Sequence, residues 1–124
     1  MSEPDDEGCD VPVDGPETVA EKRLMASLGR QARAVNLARV VRLVELLDAA
    51  DAGVVDEAGL LEAEGLAHQV VGSAGTFGFP TASVDAVMVE DHFAARPFAP
   101  ADRSATVRGT LERLRDEFAG PPER

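Results

Sequence analysis

The chain has 124 residues, which fits one domain, and a net charge of −11 at pH 7. This acidity disfavours nucleic acid as a partner, because its phosphates repel negative charge. The sequence has no run of about 18 apolar residues, which excludes a membrane-spanning helix, and we expect no membrane partner. Its start has neither the basic region nor the apolar stretch of a secretory signal, so a cytoplasmic protein is predicted.

Residues 1–16 carry several acidic side chains and no basic one, which predicts a disordered, solvated tail. A functional acidic tail is the alternative. Cys9, the only cysteine, lies in this tail and cannot form an internal disulfide, which fits a reducing compartment. At the other end, residues 120–124 are predicted to be a short tail, which leaves residues 17–119 for one helical bundle.

The elements before residue 56 are predicted to be two helices. Trp and Tyr are absent, so the core must come from Leu, Val, Ala and a few Phe, an all-α composition. A short helix is predicted from Glu17 to Leu28, opened by Pro16 and closed by Gly29. A second is predicted from Arg30 to Ala50, with Gly53 ending it. Its apolar stripe is predicted to comprise Ala34, Val35, Ala38, Val41, Val44, Leu46 and Leu47.

Three further helices follow. The third begins after a capping Asp56 and continues toward Phe77, with an inner face of Leu60, Ala63, Ala67, Val70, Ala74 and Phe77. The fourth, after Gly78 and Pro80, is capped by Thr81 or Ser83 and has an inner face of Val84, Val87, Met88 and Phe93. The last begins near Pro100 or Asp102 and buries Val107, Leu111, Leu114 and Phe118. Together these helices predict an all-α antiparallel four-helix bundle with a short extra N-terminal helix.

His68 is the residue that points to a function. At 100° per residue it lies outside the inner arc of the third helix, beside Gly72 and Gly75 on the same surface. Each glycine costs about 1 kcal/mol relative to alanine within a helix, so their presence indicates room for a large partner beside the imidazole. The alternative is an ordinary surface histidine with incidental glycines.

The chemistry available to His68 is nucleophilic. An ordinary imidazole, with a pKa of about 6.5, is mostly neutral at neutral pH and offers the lone pair of one ring nitrogen to an electrophile. A hydrogen bond to the other nitrogen fixes the tautomer, and Glu64, one turn earlier, is the nearest candidate for it. A solvent-facing Glu64 without that role is equally compatible with the sequence.

The run His68-Gln69-Val70-Val71-Gly72-Ser73, with Gly78 ten residues after the histidine, resembles the histidine-containing phosphotransfer (HPt) domain. The resemblance implies that His68 accepts a phosphoryl group from the aspartate of a receiver domain and passes it to another. It also implies that Gly72 lets the receiver approach, and that Ser73 and Gly78 shape the helix end. Implied partners are response-regulator receiver domains and a hybrid sensor histidine kinase. No cofactor and no enzymatic activity of its own are implied, and any magnesium would belong to the receiver.

Val71 departs from the family, which usually has a lysine there to balance the phosphoryl charge. Arg39 or Arg42 on the preceding helix is the predicted compensation. If neither arginine compensates, phosphohistidine is expected to be less stable or to transfer more slowly. The alternative function is a docking module, which has lost the lysine and binds or blocks a receiver or kinase without being phosphorylated. A helical interaction protein unrelated to phosphorylation is a third possibility. No metal site is predicted, and His92, with Glu90 and Asp91, is interpreted as a solvated helix face.

Overall fold

Residues 16–98 and 103–120 are described by a computed structural model of the chain. Four helices form within these ranges: α1 Pro16–Asp51, α2 Glu57–Thr76, α3 Pro80–Ala94 and α4 Ser104–Ala119. None of the described residues forms a strand, and the predicted all-α class is confirmed. The predicted acidic tail up to residue 15, with Cys9, lies outside the described residues, as do Pro100 and Asp102.

The chain divides into two compact units, Met1–Gln31 and Ala32–Arg124. The described part of the first unit is the beginning of α1, where Val19, Leu24 and Met25 are exposed. A separate first helix was the wrong prediction, because α1 continues through Gly29 without a break. A single glycine costs only about 1 kcal/mol within a helix. This cost is too small to end a helix when good helix formers stand on both sides of the glycine.

The second unit is the four-helix bundle, and its helices are antiparallel neighbours. Along each neighbouring pair, contacts ascend on one helix while they descend on the other. The contacts are Asn36–Ser73 and Arg42–Glu62 for α1 and α2, Val71–Ser83 and His68–Glu90 for α2 and α3, Asp85–Arg113 and Met88–Thr110 for α3 and α4, and Asp48–Arg108 and Asp51–Ser104 for α1 and α4. The predicted antiparallel bundle is therefore confirmed.

The buried face of α1 differs from the predicted stripe. Leu46 and Leu47 are buried as predicted, and Val44 packs partly buried against the core. The other four predicted members, Ala34, Val35, Ala38 and Val41, are exposed. The face that packs inward comprises Asn36, Val40, Leu43, Leu46, Leu47 and Ala50. Alanine and valine occur on every face of α1, so the sequence does not distinguish the buried face clearly. The polar Asn36 at the start of that face makes it harder still to recognise.

Helix α2 matches its prediction at both ends and along most of its inner face. The Asp56 carboxylate caps the N-terminus, accepting a hydrogen bond from the Gly59 amide at 2.8 Å. The predicted residues Leu60, Ala63, Ala67, Val70 and Ala74 are all buried, whereas Phe77, the last predicted member of this face, is the C-cap and is only partly buried. At the C-terminus Gly78 has φ +87° and the Phe79 amide donates to the Ala74 carbonyl at 2.8 Å, which is a Schellman ending.

Helix α3 begins earlier and buries smaller residues than predicted. It starts at Pro80 rather than after a Thr81 or Ser83 cap, because proline favours the first helical position, where its missing N–H costs no hydrogen bond. Its buried residues are Ala82, Ala86, Val89, His92 and Phe93. Phe93 was predicted correctly, whereas Val84, Val87 and Met88 are exposed. Alanines line much of the interior of α2 and α3, and Val84, Val87 and Met88 lie outside while Val89 and Phe93 lie inside.

Helix α4 completes the core as predicted, with Val107, Leu111, Leu114 and Phe118 buried. It ends at Ala119, directly before Gly120. The Phe79 and Phe118 rings meet edge to face with centroids 5.3 Å apart, which closes one end of the bundle.

Candidate functional site

His68 lies on the outer side of α2 where that helix borders α3. Its side chain is 75% exposed, as its position outside the inner arc predicts. The imidazole Nδ1 lies 3.1 Å from Oε2 of Glu90 on α3, whose side chain is 25% exposed. The histidine is therefore held from one edge by a neighbouring helix, while most of its ring faces solvent.

The contact with Glu90 determines which ring nitrogen is reactive. An ionised carboxylate can only accept hydrogen bonds, so Nδ1 must be the nitrogen that carries the proton. In the neutral ring the lone pair is then on Nε2, the nitrogen that Glu90 does not contact. Glu64, the predicted partner, is half-buried and makes no hydrogen bond to His68 within the described residues, so this choice was wrong. The spacing along α2 favoured Glu64, but the adjacent helix supplies a better-placed acceptor.

The surface beside His68 is nearly bare because it contains Gly65, Gly72 and Gly75, which we call the glycine surface. A Cβ added at Gly65 or Gly72 would meet nothing within 4 Å, and one at Gly75 would make an ordinary contact with the Ser83 hydroxyl at 3.6 Å. Internal packing therefore does not require glycine at these positions. The absent side chains leave space that only something outside the bundle can use.

Ser73 connects the site helix to α1. Its hydroxyl accepts a hydrogen bond of 3.1 Å from the Asn36 amide, which is fully buried. The Asn36 oxygen in turn accepts a hydrogen bond of 2.8 Å from Arg39. The chain from Arg39 through Asn36 to Ser73 fixes the register of α1 against α2, and the sequence did not reveal this role of Asn36.

Val71, which stands where HPt domains usually have a lysine, has no charge to offer a phosphoryl group. Val71 is partly buried and packs against the core, and its carbonyl accepts a hydrogen bond of 3.0 Å from the Ser83 hydroxyl. It serves the contact between α2 and α3.

The two arginines predicted to compensate for Val71 make their polar contacts on the α1 side of α2. Arg42 binds both carboxylate oxygens of Glu62, at 2.8 and 3.0 Å, and also Glu45 at 3.0 Å. These bonds raise the pKa of Arg42, the bond with Glu62 having the larger effect, and that same bond lowers the pKa of Glu62. Arg39 donates to Asn36. Within the described residues neither arginine forms a hydrogen bond or ion pair with His68.

Exposed apolar residues and two carboxylates lie on α2 and α3 within about two turns of His68 or of its contact Glu90. Leu61, two turns before His68, is 55% exposed, and Val87, one turn before Glu90 on α3, is 42% exposed. Val84 of α3 is 71% exposed. The nearest charged positions on the two helices are the carboxylates of Glu64 and Glu90. The site thus combines a nucleophilic nitrogen, a bare helix surface and exposed aliphatic side chains.

His92 is not on a solvated helix face, and that interpretation was wrong. Its side chain is buried, and neither ring nitrogen has a hydrogen-bond partner in the part of the chain that the structure describes. The rings of Phe93 and Phe98 contact it edge to face, with centroids 5.0 and 5.2 Å away. Burial, with a smaller effect of Arg103, lowers the pKa of His92. In the described ranges no group of three His, Cys, Asp or Glu side chains is placed to hold a metal ion.

Compared with models of protein families, with curated protein sequences and with solved structures, the chain gives no match. None of its described helices is long and apolar enough to cross a lipid bilayer. The functional assignment therefore depends on the geometry of the site and on the residues that resemble the HPt pattern.

Proposed function

We propose that this protein is a histidine phosphotransfer protein of a two-component phosphorelay, with His68 as the phosphoacceptor. One observation carries the proposal: an exposed imidazole, beside the glycine surface, whose Nδ1 is held by Glu90 and whose Nε2 Glu90 does not contact. An unreactive surface histidine needs neither the fixed tautomer nor the bare surface.

The reaction follows from this arrangement. The Nε2 lone pair attacks the phosphorus of an aspartyl phosphate on a receiver domain, forming a P–N bond as the P–O bond to the aspartate breaks. The aspartate leaves as a carboxylate, and the Nδ1 proton stays on the ring beside Glu90. No separate base is needed because Nε2 already carries the lone pair. Reversal of these steps on another receiver completes the transfer.

The partners proposed are response-regulator receiver domains and a hybrid sensor histidine kinase in the cytoplasm. Gly72 and Gly75 allow a receiver backbone to approach the ring, and Leu61, Val84 and Val87 offer it aliphatic contact. The sequence contains no phosphate-binding loop of the Gly-x-x-x-x-Gly-Lys type. We therefore propose a phosphoryl carrier rather than an enzyme, and any magnesium the reaction uses would belong to the receiver.

The experiment compares wild type with His68→Gln, both treated with phosphoramidate and followed by intact mass and phosphorus NMR at alkaline pH. We expect one phosphoryl group on wild type and none on His68→Gln, with equal helicity by circular dichroism. His92 remains in both proteins and serves as an internal control, because a buried imidazole cannot reach the donor. Equal labelling of the two proteins would contradict the proposal.

A docking module that is not phosphorylated is the second candidate, and the apolar Val71 favours it. It predicts that a receiver binds wild type and His68→Gln equally, while neither takes up phosphate from phosphoramidate or from a phosphorylated receiver. Binding measured by isothermal titration calorimetry, together with the labelling above, separates the two candidates.

A further inference from the structure

We infer that the charge of Glu90 makes the phosphoryl group on His68 labile, so that the chain releases it quickly to an acceptor rather than storing it. This inference rests on the proposed function and concerns how the same site is regulated. It derives from the contact of Nδ1 with Glu90 and from the absence of a cation among the polar contacts of His68 in the described residues.

The proton on Nδ1 decides how easily the P–N bond breaks. When phosphate is on Nε2 and a proton is on Nδ1, cleavage leaves the electron pair on Nε2 and gives a neutral imidazole. Without that proton the leaving group would be an imidazolate anion, which is far less stable. The incoming oxygen, from a receiver carboxylate or from water that gives its proton to solvent, forms the new P–O bond. A group that keeps Nδ1 protonated therefore speeds release.

Glu90 is placed to be that group. Once Nε2 is phosphorylated, a ring that keeps its proton on Nδ1 carries a positive charge. The Glu90 carboxylate, 3.1 Å from Nδ1, stabilises this protonated ring. Glu64, one turn before His68 on α2, is the other acidic neighbour, but it makes no hydrogen bond to the ring within the described residues. Asp91, exposed and next to Glu90 on α3, makes no hydrogen bond to the ring within the described residues either.

Arginines of the neighbouring elements are bound to other groups. Arg96, beyond the end of α3, pairs with Glu57 at 3.0 Å and donates to the Phe93 carbonyl. Arg42, on the α1 side of α2, is bound by Glu62 and Glu45. Among the described residues no arginine or lysine contacts His68 to neutralise the phosphoryl oxygens. The carboxylate therefore acts on the ring without opposition from a cation that would hold the phosphate.

The test measures how fast phosphohistidine is lost from wild type, Glu90→Gln and Glu64→Gln after labelling with phosphoramidate and removal of the donor. Glutamine at 90 keeps an oxygen that accepts from Nδ1 but removes the charge. Partly exposed ion pairs shift an equilibrium by about two- to fivefold, so we expect the half-life at pH 8 to lengthen by about that factor in Glu90→Gln. Glu64→Gln, the matched control, should keep the wild-type half-life.

The pH profile distinguishes this role from a merely structural one. The difference between wild type and Glu90→Gln should disappear at acidic pH, where Nδ1 is protonated with or without the carboxylate. Equal half-lives for the two proteins at every pH, with both fully labelled, would overturn the inference and leave the proposed function intact. Failure of wild type to become labelled would instead overturn the proposed function.

Discussion

Replacement of the buried His92 by leucine should remove a pH dependence from the stability of the bundle. The imidazole is 1% exposed, and neither nitrogen has a hydrogen-bond partner among the described residues. Burial is the main cause that lowers its pKa from the ordinary value of 6.5, and Arg103 adds to it, while Asp51 opposes it. A charged imidazole inside the bundle would lack water and a paired acceptor, so the folded protein resists protonation there.

The sign and size of this pH dependence of the unfolding free energy follow from proton binding to His92. Because the folded pKa is lowered, the unfolded chain binds the proton first, and stability is present at high pH and lost as pH falls below 6.5. If the folded form stays neutral throughout, the loss between pH 7.5 and pH 5.5 amounts to about 1.4 kcal/mol. The leucine variant should lack this part of the pH dependence, since leucine does not titrate.

The assay is urea unfolding followed by circular dichroism at several pH values, because the chain has neither Trp nor Tyr to report by fluorescence. Both proteins should carry His68→Gln, so that His92 is the one histidine that titrates. The depressed pKa of Asp51, caused chiefly by its hydrogen bond with Ser104, also removes stability in acid, but does so in both proteins. Parallel stability curves between pH 7.5 and 5.5 would refute the reasoning, since they would mean that the folded bundle admits the proton.

Two further changes test the site surface and its support. Gly72→Ala should raise the free energy of unfolding by about 0.5–1 kcal/mol, because the added Cβ meets nothing and alanine favours the helix. The same variant should accept phosphate from phosphoramidate normally but more slowly from a phosphorylated receiver; equal rates would mean that no partner uses this space. Asn36→Leu should lower the free energy of unfolding by about 1–3 kcal/mol, because it leaves the Ser73 hydroxyl without its donor. Addition of Ser73→Ala should recover part of that loss in urea unfolding, and fully additive losses would argue against the Asn36–Ser73 bond as the cause.

The sequence by itself determined the helical class, the inner face of α2 and the exposure of His68. These features follow from local rules, since the period of 3.6 residues and the Asp56 cap act within one helix. It also located the glycine residues beside His68, because neighbours at three and four residues share a helix surface. The same local rules failed on α1, where alanine and valine occur on every side and Gly29 was too weak a signal to end the helix.

Tertiary structure alone decided which groups the histidine and its neighbours meet. Glu90 is 22 positions from His68, and Asn36 is 37 positions from Ser73, distances over which no helical spacing gives information. Close packing of alanine-lined helices put His92 inside and left Val84 and Val87 outside, the reverse of what their polarity suggests. Burial depends on which faces of separate helices meet, and that is a property of the assembled bundle rather than of any one segment.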